Sequence, residues 1–175
     1  MNILNLLNAP IVRTVRRNHA AEHATITLLS QRVPGVRLIA HSTPVGFTIY
    51  GDVDTQTLRQ VAEEAVGRLQ RGETRLAVHP NCGTNLVVGG LLTALVALVT
   101  LGRRPRLDRL PFLLLGTTLA LLAAQPMGRL AQQHITTSPR LDGAWVASVR
   151  RIGPGIHKVI IADQPARQFA DSPVA

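Results

Sequence analysis

The sequence predicts an α+β fold in which a small domain of sheet and helices is interrupted by a two-helix transmembrane hairpin. Two stretches, residues 86–101 and 110–128, contain no Asp, Glu, Lys or Arg, and each approaches the ~20 residues that cross a bilayer as a helix. Short segments before and after these stretches alternate in hydrophobicity, as half-buried strands do. Because a hairpin returns the chain to the side that it left, these segments can share one sheet.

Helices are predicted at the start of the chain. Residues 3–12 are apolar, which fits either a short interfacial helix or a frayed terminus. A second helix is predicted over about 13–32, because a Pro-Gly pair follows at 34–35. Basic side chains that can meet lipid headgroups stand at the beginning of this second helix: Arg13, Arg16 and Arg17.

The next part of the chain predicts a β-hairpin followed by an amphipathic helix. Residues 36–41 and 45–51 predict two strands, joined by a turn at 42–44. Asp54 or Thr55 is predicted to cap the following helix, whose apolar side chains form one stripe that can cover a sheet. The stripe consists of Leu58, Val61, Ala62, Ala65, Val66 and Leu69.

Shorter elements are predicted around the apolar stretches. Residues 75–78 predict a brief strand that leads into a turn, and Thr84 or Asn85 is predicted to cap the first membrane helix. Residues 144–152 and 156–162 predict two further strands around a Gly-Pro-Gly turn. The predicted divisions are 1–83 for the N-terminal part of the domain, 84–131 for the transmembrane hairpin, 132–163 for the C-terminal strands and 164–175 for a loose tail.

The alternative to a membrane hairpin is a pair of buried helices in a soluble protein. Such helices almost always carry a polar stripe, and neither apolar stretch has one. The first stretch instead contains small residues that allow close contact between two spans: Gly89, Gly90, Thr93, Ala94 and Ala97. We therefore interpret the protein as integral to the cytoplasmic membrane, with the lipid bilayer as its partner.

Two indicators of membrane sidedness disagree. The connector at 102–109 carries four Arg against one Asp, which favours a cytoplasmic connector and would place both termini outside. The first twelve residues, however, have no charged n-region and do not predict a signal peptide, and a lone thiol suits the cytoplasm. We give the second argument more weight and expect a cytoplasmic soluble domain.

The first candidate site is an H-x-x-E-H motif in the second predicted helix. His19 and His23 stand four residues apart, which places both imidazoles on one helix face, where they can bind a divalent cation. Glu22 is predicted to be catalytic, as the general base that takes a proton from metal-bound water. The alternatives are hydrogen-bonded surface histidines and an ion pair between Glu22 and Arg16 or Arg17.

The second candidate site is a turn that holds His79 and the only cysteine, Cys82. Imidazole and thiolate suit zinc, whereas Mg and Ca prefer oxygen ligands, so zinc is the expected cofactor. One of the two residues as a third ligand leaves a position for water, whereas both together with His19 and His23 close a structural site. The alternatives are a small buried Cys82, or a metal-free Cys82 nucleophile activated by His79. The remaining histidines are predicted to be ordinary: His41, His134 and His157.

Both motifs resemble a pattern found in bacterial membrane proteins. The YqhQ-like family, whose members are described as predicted metal-dependent enzymes, carries a histidine, small residues and Glu-His, and later a His-Pro-Arg-Cys-Gly-Thr-Ser segment before a membrane span. The matching segments here are HAAEHATI at 19–26 and HPNCGTN at 79–85, which depart from that pattern at Ala24, Asn81 and Asn85. The chain is more similar still to short bacterial membrane proteins known by an unknown-function domain. This resemblance implies a metal site and a membrane location.

The leading functional hypothesis is a membrane-anchored, zinc-dependent hydrolase of peptidase or amidase type. The alternative is a non-enzymatic membrane protein in which a structural metal contributes to folding. The formal net charge of +9 suggests a polyanionic partner, but an aromatic content of 3% offers little stacking surface to nucleic acid. We therefore expect anionic lipid headgroups, and no nucleic acid, as the partner of the basic residues, and the sequence identifies no protein partner.

Overall fold

The structure, a computed structural model, describes residues 3–102 and 107–163 of the 175-residue chain. Within these residues, five α-helices and four antiparallel strands form a mixed fold, which confirms the predicted α+β class. The chain divides into two compact units, of which the first contains the described residues up to Ala77 and from Ser138 onward, and the second runs from Val78 to Thr137. The predicted tail at 164–175 and part of the connector, at 103–106, lie outside the described residues.

Three helices belong to the first unit: α1 (Ile3–Leu7), α2 (Pro10–Arg32) and α3 (Thr55–Gln70). The second of them begins three residues earlier than predicted, because Pro10 occupies the first turn, where its fixed φ and missing N–H are tolerated. Before α3, the Asp54 carboxylate accepts a hydrogen bond from the Thr57 N–H at 2.7 Å. Asp54 is therefore the cap of this helix.

One four-stranded sheet completes the first unit: β1 (Ile39–Thr43), β2 (Gly46–Tyr50), β3 (Ala144–Gly153) and β4 (Ile156–Asp163). The strands are antiparallel and lie in the order β1-β2-β4-β3, so strands from before and after the second unit share one sheet, as predicted. The first strand starts and ends later than predicted and includes Ser42 and Thr43. This shift arises because the turn to β2 contains only Pro44 and Val45.

The core of the first unit lies between α2, α3 and one face of the sheet. Phe47, Ile49 and Leu58 are each at most 1% exposed, and burial of a side chain of this size contributes about 1.5–3 kcal/mol. The predicted apolar stripe of α3 is buried throughout, which confirms that this helix covers the sheet. Small, fully buried side chains let α2 lie close to its neighbours: Ala20, Ala21 and Ala24.

The second unit is an antiparallel pair of helices, α4 (Gly83–Leu101) and α5 (Leu110–Ala131), followed by a π-helical turn (Gln132–Thr136). A Cβ on Gly89 would lie 3.4 Å from Ala124 Cβ, so the helices approach closely at this position. Both helices are long and apolar enough to cross a membrane, and only 11% of each apolar window is buried within the structure. Within the described residues, these two candidate spans suggest a membrane protein.

The predicted strand at 75–78 is wrong. The chain instead forms a 3-10 turn at Thr74–Ala77, in which the Leu76 N–H donates to the Glu73 carbonyl at 3.1 Å. These backbone groups bond locally and are therefore not available for a ladder with a neighbouring strand.

The predicted cap of the first apolar helix is also wrong. α4 begins after Cys82, because the Cys82 Sγ, rather than a side-chain oxygen of Thr84 or Asn85, accepts the Thr84 N–H, at 3.4 Å. The polar side chains at 84 and 85 therefore lie inside the first turn of the helix.

Candidate metal centre

The H-x-x-E-H motif lies in the middle of α2, in the first unit. His23 and Glu22 are buried, with 2% and 5% of their surface exposed, and His19 is half-buried. The ring centroids of His19 and His23 lie 4.3 Å apart, with the ring planes inclined by 62°. One helical turn thus brings two imidazoles together beside a buried carboxylic acid.

The orientation of the His23 ring is determined by a backbone contact. Its Nδ1 lies 2.8 Å from the carbonyl oxygen of Ala77, in the 3-10 turn. Since a carbonyl oxygen can only accept, Nδ1 must donate, and the neutral ring then carries its lone pair on Nε2. Metal-binding histidines commonly donate their other ring N–H in this manner, which fixes both the tautomer and the ring orientation.

Glu22 is held by a side chain of β1. The Ser42 hydroxyl donates a short hydrogen bond to Glu22 Oε2. Burial raises the pKa of Glu22 above its ordinary value, and this effect is opposed by the Ser42 hydrogen bond and by the nearby His19 and His41. The carboxyl group is therefore a more basic proton acceptor than an exposed glutamate.

The alternative ion pair between Glu22 and Arg17 does not form. Arg17 instead pairs with Asp163 of β4, with a shortest N–O distance of 2.7 Å, and Arg16 Nη1 donates to the carbonyl of Leu7 at 3.3 Å. The arginines at the start of α2 thus contact the ends of neighbouring elements.

Ser42 escapes the sequence analysis, and His41, which is predicted to be ordinary, contributes to the electrostatic field at Glu22. Ser42 holds Glu22, and Asn18 Nδ2 of α2 donates to the Thr43 carbonyl of β1 at 2.8 Å. Ser42 and His41 both belong to β1. No local motif marks these contacts, because they join residues 20 or more positions apart in the chain.

The second motif forms a tight turn in the second unit. The Cys82 N–H donates to the His79 carbonyl at 3.3 Å, and the Asn81 N–H donates to His79 Nδ1 at 3.2 Å. The lone pair of His79 Nδ1 is therefore engaged by the backbone, and its neutral ring carries the proton on Nε2.

Cys82 stands at the first turn of α4 with 8% of its surface exposed. Its Sγ accepts from the Thr84 N–H and lies 3.3 Å from Thr84 Oγ1. Amide donors and the positive end of a helix dipole favour the thiolate over the thiol. This environment suits a sulfur ligand.

The two motifs contain imidazole and thiol groups, which are kinds of donor that could bind a metal ion. The neutral His23 ring carries its lone pair on Nε2, its partner His19 lies one turn away, and Cys82 stands at the first turn of a helix. His79 fits less well, because Asn81 occupies its Nδ1.

Comparison with known proteins identifies the family of this chain. Residues 14–149 match the family described as "Domain of unknown function (DUF6391)". The chain belongs to this family. The match confirms the resemblance to an unknown-function family. The matched residues of this chain include both motifs and both apolar helices.

A second comparison supports the same family. An uncharacterized protein of Picosynechococcus sp. is 38% identical to this chain over 139 residues, which covers 73% of this chain and 68% of that protein. No solved structure matches this chain. The YqhQ-like family name is not confirmed by these matches.

Proposed function

We propose that the DUF6391 domain is a membrane-anchored, zinc-dependent hydrolase that cleaves a peptide or other amide bond close to the bilayer surface. The observation that carries this proposal is the pairing of a buried Glu22 with a His23 ring whose Nδ1–H is held by the Ala77 carbonyl. Burial of an acid costs stability that its hydrogen bonds only partly offset, and a role as general base next to a ligand histidine would account for a buried glutamate here.

The proposed ligands are His19, His23 and Cys82. The covalent chain keeps the second motif within reach of the first, because Ala77 contacts His23 and the five residue steps from Ala77 to Cys82 span at most about 18 Å. Cys82 is preferred to His79 as the third ligand, since the His79 Nδ1 lone pair accepts from Asn81. Three protein ligands leave a coordination position for substrate or water, which is the arrangement of catalytic zinc sites.

The chemistry follows from these roles. Zinc held by these residues would supply a lowered pKa of bound water and polarisation of a carbonyl group. Glu22 accepts the proton that the attacking water loses and passes it to the leaving amine as the amide bond breaks. Ser42 holds one carboxylate oxygen of Glu22, and thereby limits the rotamers that this base adopts.

Metal content tests the ligand set. The full chain, purified in detergent, is expected to contain about one zinc ion per chain, as measured by mass spectrometry of the dissolved metal. His19→Ala, His23→Ala and Cys82→Ser should lose it, whereas His134→Ala, which removes an exposed histidine, should retain it. Equal zinc content in the wild type and in all four variants would show that the proposed residues are not zinc ligands.

Activity tests the role of Glu22. With a mixture of quenched fluorogenic peptides as the probe and the full chain reconstituted in lipid, Glu22→Gln is expected to lower hydrolysis at least about 100-fold while the zinc content is unchanged. Glu63→Gln, an exposed carboxylate on α3, is the matched control and should keep its activity. Full activity of Glu22→Gln would exclude Glu22 as the base.

A structural metal site is the second candidate function. It is favoured by the presence of His79 in the same tight turn as Cys82, because a fourth protein ligand would close the site. Cobalt substituted for zinc separates the two functions: added azide changes the cobalt absorption spectrum only if a coordination position is open to solvent. An unchanged spectrum, together with unfolding when the metal is chelated, supports the structural role.

We propose the lipid bilayer as the partner of the two apolar helices, and anionic headgroups as the partner of the basic residues. The chain carries 19 Lys and Arg against 10 Asp and Glu, and each basic residue near an anionic surface contributes about 1 kcal/mol. Reconstitution in vesicles with and without phosphatidylserine, compared with binding of RNA at the same salt concentration, tests this preference. Equal or stronger RNA binding would contradict it.

A further inference from the structure

We infer that Asn85 and Gln132 are positioning residues that hold the His79–Cys82 turn in the shape that presents the Cys82 thiolate. This inference rests on the proposed function, because it assigns the pair a purpose at the Cys82 ligand. All contacts that carry it lie within the second unit.

Gln132 uses both ends of its amide. Its side chain is fully buried, its Oε1 accepts from the His79 N–H at 2.8 Å, and its Nε2 donates to Asn85 Oδ1 at 2.9 Å. The contacts reach 53 and 47 positions back along the chain. A residue at the end of the second apolar helix therefore contacts the turn that precedes the first.

Asn85 completes the connection. Its side chain is buried, its Nδ2 donates to the Pro80 carbonyl at 2.6 Å, and the same nitrogen lies 3.3 Å from Gln125 Oε1. Two adjacent residues of the turn are thus each bonded to a side-chain amide. The His79 N–H is bonded to Gln132, and the Pro80 carbonyl is bonded to Asn85. The Cys82 N–H closes the turn on the His79 carbonyl.

The direction of these bonds is fixed by the backbone groups at the two ends. The His79 N–H can only donate, so the Gln132 oxygen must face it, and the Pro80 carbonyl can only accept, so the Asn85 nitrogen must face it. The remaining Gln132 nitrogen and Asn85 oxygen then meet as donor and acceptor. If either amide rotated by about 180°, two donors or two acceptors would face each other. The hydrogen bonds therefore specify one shape of the turn.

Gly128 of α5 provides the space for Asn85. A Cβ at this position would lie 2.1 Å from Asn85 Oδ1 and 2.9 Å from Asn85 Cα, distances at which atoms overlap. The hydrogen-bonded pair of Asn85 and Gln132 therefore requires that position 128 has no side chain.

Supporting hydrogen bonds of this kind place a ligand within the few tenths of an ångström that a metal site requires. Without Gln132, the His79 N–H and the Asn85 oxygen are left without their partners, and the turn can relax into other conformations. Cys82 would then remain present but would no longer be held in one orientation.

The test uses Gln132→Leu in the full, detergent-solubilised chain, with Gln133→Leu, an exposed neighbour, as the matched control. Two readouts are compared: the affinity and thiolate-to-metal charge-transfer band of bound cobalt, and the alkylation rate of Cys82 in the metal-free chain. Gln132→Leu is expected to lower cobalt affinity about 10–100-fold, to shift the band and to raise the alkylation rate several-fold. Gln133→Leu should change none of them.

The outcomes separate this inference from the proposed function. A folded Gln132→Leu chain with wild-type affinity, band and alkylation rate would overturn the inference. If the wild type binds no cobalt, the metal proposal fails, while the alkylation rate still decides whether Gln132 holds the turn. Where Gln132→Leu does not fold, Asn85→Ala takes its place, because it removes the donor to the Pro80 carbonyl and adds no atom against Gly128. Lower cobalt affinity and faster alkylation are then expected, and wild-type values of both readouts in a folded Asn85→Ala chain would overturn the inference.

Discussion

At the scale of single residues, side-chain contacts with backbone groups decide what the histidines can do. His23 donates through Nδ1 to Ala77, which places the lone pair of the neutral ring on Nε2. His79 accepts through Nδ1 from Asn81, which engages that nitrogen. Two residues of the same type, both expected as ligands from the sequence, therefore differ in chemistry.

His157 on β4 offers a test by pH. It is 1% exposed, its Nε2 lies 3.0 Å from Thr55 Oγ1, and its Nδ1 has no hydrogen-bond partner among the described residues. Burial lowers the pKa of His157, the positive charge of Arg151 acts in the same direction, and Asp54 opposes both. The folded chain therefore keeps this ring neutral at pH values where the unfolded chain takes up a proton.

We expect the free energy of unfolding to fall as the pH decreases below about 6.5, the ordinary pKa of histidine. The stability that the neutral ring contributes is present above that value and is lost as the pH falls toward the lowered folded pKa. Thermal unfolding of the wild type and of His157→Gln at several pH values from neutral to acid measures this. The wild type should lose stability with acidity more steeply than His157→Gln, so that any advantage of the neutral ring shrinks as the pH falls, and parallel curves would contradict the assignment.

The sequence predicts the residues of the first motif but only part of their surroundings. Spacing along one helix is enough to place His19 and His23 one turn apart. Ser42 and the Ala77 carbonyl come from the β1 register and from a 3-10 turn. Neither the register nor the turn is encoded by a local pattern, so these contacts could not be predicted.

At the scale of elements, the apolar helices and the strands follow from the sequence, whereas the helix ends do not. Continuous apolar stretches predict α4 and α5, and alternation predicts β3 and β4 to within about two residues. The cap of α4 was missed because cysteine is an uncommon cap, and a thiol acceptor carries no sequence signal.

The packing of the two apolar helices predicts that substitutions of two glycines differ in their effect on stability. Gly128→Ala places a methyl group against the Asn85 backbone and is expected to destabilise the hairpin by about 1–3 kcal/mol or more. Gly90→Ala adds a methyl group with no atom within 4 Å, so its effect should stay within about 1 kcal/mol. Unfolding by increasing denaturing detergent measures both variants. Equal stability of the two would show that Gly128 does not set the close approach.

At the scale of the whole molecule, the proposed insertion of both apolar helices predicts that the two ends of the chain lie on one side of the membrane. Affinity tags placed at the N-terminus and at the C-terminus are therefore expected to be equally accessible to protease in inverted membrane vesicles, and equally protected in right-side-out vesicles. Access in inverted vesicles corresponds to the proposed cytoplasmic domain. Tags with opposite accessibility would exclude a hairpin of α4 and α5.

Metal binding is also expected to stabilise the folded chain. A ligand that binds only the folded state adds about 2.7 kcal/mol when its free concentration is 100 times Kd. Zinc should therefore raise the midpoint of thermal unfolding of the wild type and of His134→Ala, and a chelator should reverse the increase. Cys82→Ser and His23→Ala should respond little, and a response equal to that of the wild type would contradict their role as ligands.

The position of β2 between β1 and β4 has a consequence for biosynthesis. β1 and β2 leave the ribosome early, yet one edge of β2 stays without its neighbour until both apolar helices and β3 have been translated. An open edge of this kind invites pairing with other chains. Translation of both apolar helices therefore precedes closure of the sheet, and a chain that stalls before β4 leaves this edge of β2 unpaired.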